Sequence, residues 1–307
     1  MRQAPSRAFS DSVSEYASRL MDIILARGNS LPRSYGFEYE FLPHRILVPD
    51  DMSALRDFLV ESGYAPRGGG YRRGSREIVF EPGGQIEYLS PPMKAGDTGE
   101  LGDTIEWITS MNAAIEDATG IRYLGTDYIP GRYDAPLLLT QYRYSSMHLR
   151  FMKVDRRGPD MMKGTAAIHL HAAITSPGDV EALFGEFCRM SSGDILGMSS
   201  RRREIWDSTD NCRCGLPAPC GVTGPMNILE SIVEHAMGAV ELGSGRVFSS
   251  LEDRDFEDFL EHLTTMFTDI RVNVKGGTME LRTPDSRPID QFPEAWSEFV
   301  DRCERVG

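Results

Sequence analysis

The chain has 307 residues, of which 46 are Asp or Glu and 33 are Lys or Arg, so its formal net charge is -13. This acidic excess argues against a nucleic-acid-binding protein, which would carry a basic surface for phosphates. Hydrophobic residues make up 40% of the sequence, enough to fill a core, and this excludes global disorder. We expect residues 1–307 to form one domain, with a flexible segment at 1–10.

The predicted elements begin with a helix over 12–26, which Gly28 and Asn29 would end. Strict alternation then predicts a strand over 35–42, and a helix follows over 52–62 with Asp50 or Asp51 as its cap. Strands over 78–81 and 85–89 flank a Pro-Gly-Gly turn and should form a hairpin.

The second half of the chain continues to mix helices and strands. Helices are predicted over 97–118, 142–153, 177–190, 226–240, 250–267 and 289–305. Strands are predicted over 164–175, 269–274 and 278–282, while 126–138 and 191–224 are predicted to be connections. The order lacks a regular strand–helix–strand repeat, so we predict an α+β fold with an antiparallel sheet backed by helices.

Polar residues stand in pairs on the predicted strands, where side chains two positions apart leave the same face. The pairs are Glu38 with Glu40, His169 with His171, and Glu280 with Arg282, and Glu81 and Glu87 flank the Pro-Gly-Gly turn. A sheet face lined with carboxylates needs counter-charges. Magnesium takes carboxylate oxygens and bridges to substrate phosphates. The pattern therefore predicts a metal–nucleotide site on one sheet face.

Two other basic segments allow more than one interpretation. The glycine-rich loop 68–70, with Arg72, Arg73 and Arg76, could hold phosphate, but without the spacing and Lys of a Walker A motif we favour a turn. The run from Arg201 to Arg203 could bind carboxylates or phosphates or form a solvated patch.

The cysteines and the apolar segments indicate in which cellular compartment the protein is expected. Five cysteines argue against a disulfide framework, and a cytoplasmic protein without a membrane span or signal peptide is expected. Cys212, Cys214 and Cys220 are close in sequence, but zinc needs a fourth ligand, and we favour unligated thiols over a zinc site. Met161, Met162 and Trp206 are expected in the core or in a pocket wall.

Several segments resemble one protein family. They are GFEYEF (36–41), FEPGGQIEYLSPP (80–92), MMKGTAAIHLH (161–171), SSRRREIWDSTD (199–210) and MELRTPD (279–285). In these segments the chain resembles the glutamate–cysteine ligase type 2 family, which includes plant and proteobacterial γ-glutamylcysteine synthetases and carboxylate–amine ligases. The resemblance implies a glutamine-synthetase-like catalytic domain, with a curved, mainly antiparallel sheet that holds ATP and magnesium and has helices on its outer face.

The resemblance also implies roles for individual residues. Two or three magnesium ions would be held by five glutamates: Glu38, Glu40, Glu81, Glu87 and Glu280. Arg282 would contact the nucleotide phosphates, and His169 and His171 would touch ATP, metal or an acyl phosphate. Arg143, Arg202 and Trp206 would bind an amino-acid substrate, and Arg282, Glu87 and Arg202 would be the catalytic residues.

The implied reaction is an ATP-dependent ligation through an acyl phosphate, by default between the γ-carboxylate of glutamate and the amine of cysteine. The chain departs from the family pattern at Tyr142, at the paired histidines and in the CRC segment. These departures leave other carboxylate and amine substrates open, including a peptide or a carrier protein. A phosphotransferase and a non-catalytic relative on the same fold remain alternatives, and the oligomeric state is open.

Overall fold

The structure is a computed structural model that describes residues 7–28, 32–155 and 157–306. Residues 7–10, predicted to be flexible, belong to the first helix, whereas the rest of that predicted segment lies outside the described residues. Asn29, predicted to end this helix together with Gly28, also lies outside them.

Within these residues the α-helices are α1 Arg7–Arg27, α2 Pro49–Glu61, α3 Thr98–Thr119, α4 Tyr142–Val154, α5 Gly158–Gly164, α6 Pro177–Ser191, α7 Ser200–Thr209, α8 Pro225–Met237, α9 Phe256–Leu263 and α10 Phe292–Glu304. Short 3-10 turns lie at Phe248–Ser250 and Ile289–Gln291. The strands are β1 Ser34–Pro43, β2 Ala65–Arg67, β3 Gly70–Arg73, β4 Arg76–Phe80, β5 Ile86–Leu89, β6 Met93–Lys94, β7 Tyr123–Leu124, β8 Ile168–Ala173, β9 Cys214–Gly215, β10 Phe267–Thr268, β11 Ile270–Asn273 and β12 Thr278–Leu281.

The main sheet has the strand order β11-β12-β8-β1-β5-β4-β3-β2, and β6 and β7 also pair with β1. Every pairing in this sheet is antiparallel, and β9 and β10 form a separate parallel pair. The predicted α+β class with a mainly antiparallel sheet is confirmed.

Strand β1 shows why the two faces of the sheet differ. Tyr35, Phe37, Tyr39 and Phe41 alternate with less buried residues and point into the main core. Phe37 packs on Phe292 of α10 with 4.6 Å between the ring centroids. Because side chains alternate along a strand, the residues between these aromatics lie on the opposite face, which is the polar one.

Helices cover both faces of the sheet, whereas the prediction named the outer face. The main core joins the apolar sheet face to helices that include α1, α3, α6, α8 and α10. A second, smaller cluster is built from α4, α5 and α7, and side chains of these helices line the cleft on the polar face.

Four features of the helices differ from the prediction. The connection predicted over 191–224 contains α7, and the short helix α5 was missed. In place of the helix predicted over 250–267, the structure has the shorter helix α9. The carboxylate of Asp255 caps its N-terminus. Asp51 lies in the first turn of α2 and accepts the N–H of Val48, which occupies the N-cap position in place of Asp50 or Asp51.

Candidate functional site

The polar face of the main sheet brings the predicted residues into neighbouring rows. Strand register places Glu38 beside His169, Glu40 beside Glu87, and Glu280 beside His171. These residues come from four adjacent strands, β5, β1, β8 and β12. The prediction that the pairs share one sheet face agrees with this register.

The turn between β4 and β5 sets the positions of Glu81 and Glu87. Gln85 donates from Nε2 to the carbonyls of Met162 at 3.0 Å and Thr165 at 3.1 Å, and its Oε1 accepts the N–H of Gly83 at 2.8 Å. The side chain is buried, so these bonds fix the turn against α5. Gln85 was not among the predicted site residues, although its place in the EPGGQ segment marks it.

His169 is surrounded by carboxylates. Its Nδ1 lies 3.0 Å from Glu38 Oε2, 3.7 Å from Glu87 Oε1 and 3.9 Å from Glu280 Oε1, and its Nε2 lies 3.6 Å from Glu40 Oε1. His171 Nδ1 lies 3.1 Å from Thr278 Oγ1, and its buried Nε2 has no hydrogen-bond partner among the described residues.

Glu280 has a different environment because two guanidinium groups neutralise it. It is fully buried, and it pairs with Arg282 and with Arg271, whose Nη2 lies 2.7 Å from Glu280 Oε2. Arg271 was missed by the sequence analysis. The signal was present, because Arg271 alternates with the buried Ile270 and Val272 on a predicted strand and therefore lies on the polar face.

The remaining carboxylates repel one another. Burial, with the neighbouring Glu40, raises the pKa of Glu81 to about 8. Burial, together with Glu38, Glu81 and Glu40, raises the pKa of Glu87 well above its usual range. Two carboxyl groups with raised pKa values in one cleft indicate a cluster that lacks positive charge.

Two other carboxyl groups are stabilised as anions. Burial alone would raise the pKa of Glu280, but Arg271 and Arg282 lower it to about 2. Burial likewise opposes ionisation of Glu38, yet His171 and His169 hold its pKa well below the usual range. Burial and the charge of Arg282 lower the pKa of His169, which favours the neutral imidazole.

These groups open into a cleft of about 230 Å³. The predicted site residues that line it are Glu38, Glu40, Glu81, Glu87, Arg143, His169, Trp206 and Arg282. Met147 of α4 and Met161 and Met162 of α5 form an apolar wall. Arg143 is exposed at the mouth and donates to the carbonyl of Thr264 at 2.7 Å, and Trp206 donates from Nε1 to the carbonyl of Phe267 at 2.9 Å.

Arg202 lies outside this lining. It is fully buried, with Nη1 2.6 Å from Asp285 Oδ1 and Nη2 2.7 Å from the carbonyl of Arg282. Its contacts therefore hold the chain that follows β12, and a direct contact with substrate stays a prediction. The neighbouring Arg201 and Arg203 form ion pairs with Asp127 and Asp269.

The donor set suits divalent cations. Two groups offer ligand atoms within 4.8 Å of one another: Glu38, His169 and Glu280, and Glu40, Glu87 and His169. Carboxylate oxygens are hard ligands, and the raised pKa values of Glu81 and Glu87 show that positive charge would stabilise the cluster. The residues present therefore fit the predicted metal ions.

The other candidate segments take simpler roles. Gly68 and Gly69, both with positive φ, form the turn between β2 and β3, in agreement with the favoured interpretation. Among the described residues, Cys212, Cys214 and Cys220 do not form a metal-ligating group. Within the described part of the chain, no helix has the length and apolar character needed to cross a membrane.

The fold and the cleft together define an α+β protein whose antiparallel sheet presents a carboxylate- and arginine-lined cleft on one face. Comparison with known proteins finds relatives among plant glutamate–cysteine ligases. The chloroplastic glutamate–cysteine ligase of Solanum lycopersicum is 26% identical over 269 residues, which is 74% of this chain and 49% of the relative. That of Nicotiana tabacum is 30% identical over 166 residues, which is 48% of this chain and 30% of the relative.

By sequence the chain is thus similar to glutamate–cysteine ligases. It spans about half the length, or less, of these relatives, and no family model matches it. Among solved structures, a glutamate–cysteine ligase from Francisella tularensis in complex with AMP aligns with a TM-score of 0.41 and 14% identity, covering 84% of this chain and 62% of that one.

Proposed function

We propose that the chain is an ATP-dependent, divalent-cation-dependent ligase that joins an amino-acid carboxylate to an amine. The single observation that carries the proposal is the cleft itself, where Glu38, Glu40, Glu81 and Glu87 face Arg282 on one sheet surface. Such a site aligns anionic substrates and neutralises charge, which is most of what phosphoryl transfer requires. Relatedness to glutamate–cysteine ligases supports glutamate and cysteine as default substrates.

The proposed reaction has two steps. A carboxylate oxygen of the first substrate attacks the γ-phosphorus of ATP, giving an acyl phosphate and ADP. The amine nitrogen of the second substrate then attacks the acyl carbon and loses a proton, and inorganic phosphate leaves as the amide forms. Two or three magnesium ions would bind at the glutamates of the cleft and supply charge neutralisation for the phosphates.

The chain's own residues would orient the reactants. Arg282 is held by Glu280 and by the contact of Arg202 with its carbonyl, and it would face the transferred phosphoryl group. Glu87 would hold metal, Arg143 and Trp206 would contact the amino-acid substrate, and the apolar wall would limit water. His169 and His171 lie beside the carboxylates and would contact the metal or nucleotide.

A second cavity supports a ligase over a phosphotransferase. It measures about 450 Å³, adjoins the first through Arg143, and is lined by Tyr142, Glu241 and Thr264 among others. A phosphotransferase needs no site for an amine acceptor, whereas a ligase does. The second cavity would take the amine substrate, which a peptide or a carrier protein could also present.

The test is ADP release measured over pairs of carboxylate and amine substrates with ATP and magnesium. The proposal predicts ADP release that requires both partners, and an amide product by mass spectrometry. Glu87→Gln should abolish turnover, while Arg201→Lys on the exposed side of α7 serves as the control and should retain it. A stable phosphorylated product without amine dependence would instead establish a phosphotransferase, and no ADP release with any pair would leave a non-catalytic protein.

A further inference from the structure

Helix α4 has an apolar side that faces solvent. Its inner side carries Met147 and Phe151, which are buried in the smaller core. Tyr142, Leu149 and Met152 are 73%, 54% and 43% exposed, and they lie on the opposite side, since residues three or seven apart share one side of a helix. These three residues form the α4 outer face. Large apolar side chains grouped in this way on a surface indicate a contact with another molecule.

The charge of α4 is opposite to that of the whole chain. Its segment YRYSSMHLRFMKV has three Lys or Arg and no Asp or Glu, in a chain with 46 acidic and 33 basic residues. Asp210 neutralises Arg150 at 3.0 Å. Arg143 and Lys153 are exposed and form no ion pair within the described residues, and Lys153 follows Leu149 by one turn. Two positive charges beside the α4 outer face are therefore available to an anionic partner.

The α4 outer face starts at the second cavity of the proposed ligase. Tyr142, Arg143 and Ser146 line that cavity, and Arg143 lines the cleft as well. The hydroxyl of Tyr142 lies 2.7 Å from the place of a Cβ on Gly243, so its ring reaches toward the loop that forms another wall of the cavity. From Tyr142 to Met152 the helix rises about 15 Å. The apolar surface therefore leads from the second cavity outwards along the helix.

The second cavity itself offers carboxylates to a cation. Glu241, Asp258 and Glu261 line it, together with Arg143 and Arg254. Arg254 lies 3.6 Å from Glu241 and 3.0 Å from Asp258, whereas the exposed Glu261 has no ion-pair partner in the described part of the chain. A protonated amine suits this cavity, while an anionic body suits α4.

We propose that the α4 outer face docks an acidic polypeptide that carries the amine substrate into the second cavity. Apolar side chains of the polypeptide would cover Leu149 and Met152, and its carboxylates would pair with Lys153. A second copy of the chain fits less well, because two-fold pairing sets the same basic helix on both sides. An anionic lipid surface would extend past α4 and meet the rest of a molecule whose net charge is -13. The role given to the polypeptide rests on the proposed ligase function, but the docking does not.

The probes are three fluorescent helical peptides that share a leucine face and carry Glu, Gln or Lys on the other face. Fluorescence anisotropy with the full chain gives their dissociation constants. The Glu peptide should bind about tenfold more tightly than the Lys peptide, and high salt should reduce this difference. Equal affinities, or no binding of the Glu peptide, would overturn the proposal. Tighter binding to phosphatidylserine vesicles than to the Glu peptide would also overturn it, in favour of a membrane.

Two variants and a matched control locate the binding surface. Leu149→Glu should weaken binding of the Glu peptide by about tenfold, because an apolar contact is lost and a like charge is added. Lys153→Glu should abolish the preference for the Glu peptide over the Lys peptide. Val60→Glu on α2 is the control, because Val60 is 51% exposed and lies on another element, and it should leave the affinity unchanged. Equal weakening by Val60→Glu and Leu149→Glu would contradict docking on α4.

Sedimentation of the unliganded protein tests the competing occupant. A wild-type dimer that Leu149→Glu dissociates would show that a second copy covers the α4 outer face, and this would overturn the proposal. The binding measurements are independent of turnover. If the Glu peptide binds on α4 but no substrate pair releases ADP, the ligase function fails and the docking surface stands. If free amines support ADP release but the Glu peptide does not bind, the docking surface fails and the function stands.

Discussion

At the scale of single residues, the glutamates of one sheet face have opposite surroundings. Glu280 lies fully buried between Arg271 and Arg282, whereas Glu87 lies near other carboxylates and forms no ion pair with a guanidinium group in the described part of the chain. Removing one member of a buried ion pair leaves an uncompensated charge, but removing a carboxylate from among other carboxylates reduces electrostatic repulsion. The two residues, which share a predicted role, should therefore differ in their effect on stability.

We expect Glu280→Gln to lower the free energy of unfolding of the metal-free protein by about 3 kcal/mol, because two guanidinium groups lose their buried partner. Glu87→Gln should raise that free energy, because the variant removes a buried carboxyl group whose ionisation burial and the neighbouring carboxylates oppose. Urea denaturation at pH 7 measures both. Equal destabilisation by the two variants would contradict the assigned environments.

A second prediction concerns His262, which lies outside the cleft. Burial lowers its pKa from about 6.5 to about 4. The ring of His262 stacks on Phe248, and its Nε2 lies 2.9 Å from the carbonyl of Ala236. Arg213 and Arg254 disfavour the charged imidazolium, and Glu241 favours it. The unfolded chain binds a proton below pH 6.5 while the folded chain does not, so stability falls as the pH drops from 6.5 toward 4.

The expected loss for His262 over this window is up to about 3 kcal/mol, from the difference in pKa. The free energy of unfolding should be compared between pH 7 and pH 4.5 in the wild type and in His262→Gln. The variant lacks this titration, so its decline should be smaller by that amount. Parallel curves for the two proteins would show that His262 does not titrate as described.

At the scale of elements, helix α7 shows why part of the fold escaped prediction. Its segment is rich in Ser, Arg and Asp, and only Ile205 and Trp206 give it an apolar stripe. Its three arginines pair with Asp127, Asp285 and Asp269, which lie far away in sequence. Tertiary ion pairs and the Ser199 cap stabilise this helix, so periodicity could not reveal it.

The hairpin of β4 and β5 gives a prediction at this scale. A Cβ on Gly83 would lie 2.6 Å from both Cα and the carbonyl oxygen of Lys163, at the end of α5. Gly83→Ala should therefore push the turn away from α5 and lower the free energy of unfolding by about 1–3 kcal/mol. It should also weaken cation binding, because the turn positions Glu81 and Glu87.

Gly102→Ala is the matched control for Gly83→Ala. It lies within α3, where a Cβ meets nothing within 4 Å, and alanine favours a helix, so a gain of up to about 1 kcal/mol is expected. Thermal denaturation compares the two variants with the wild type. A Gly83→Ala protein as stable as Gly102→Ala would show that the turn has room to adapt.

At the scale of the whole molecule, part of the acidic excess behind the net charge of -13 is concentrated in the cleft. Glutamates that repel one another in the cleft destabilise the protein without ligands, and ligands that bind only the folded state stabilise it. Magnesium with ATP at about 100 times the dissociation constant should therefore raise the melting temperature by about 5 °C. Glu87→Gln should abolish most of this shift, and an equal shift in both proteins would place the ligands elsewhere.

By itself, the sequence determined the class of fold and the membership of the polar face. Residues two apart on a strand share a face, so Glu38 with Glu40 and His169 with His171 could be grouped from their spacing alone. The same rule marked Glu280 with Arg282. The strand order, antiparallel throughout the main sheet, then placed these groups side by side as predicted.

Only the tertiary structure decided which partner each residue has. Arg271 neutralises Glu280 across a strand pair, and the buried Arg202 donates to the carbonyl of Arg282. Both contacts join residues on different elements, and their energies depend on burial and distance, which spacing along the chain does not encode. The alternation of side chains along a strand therefore predicts which residues share a sheet face. The packing of distant elements determines which charged partner each of them has.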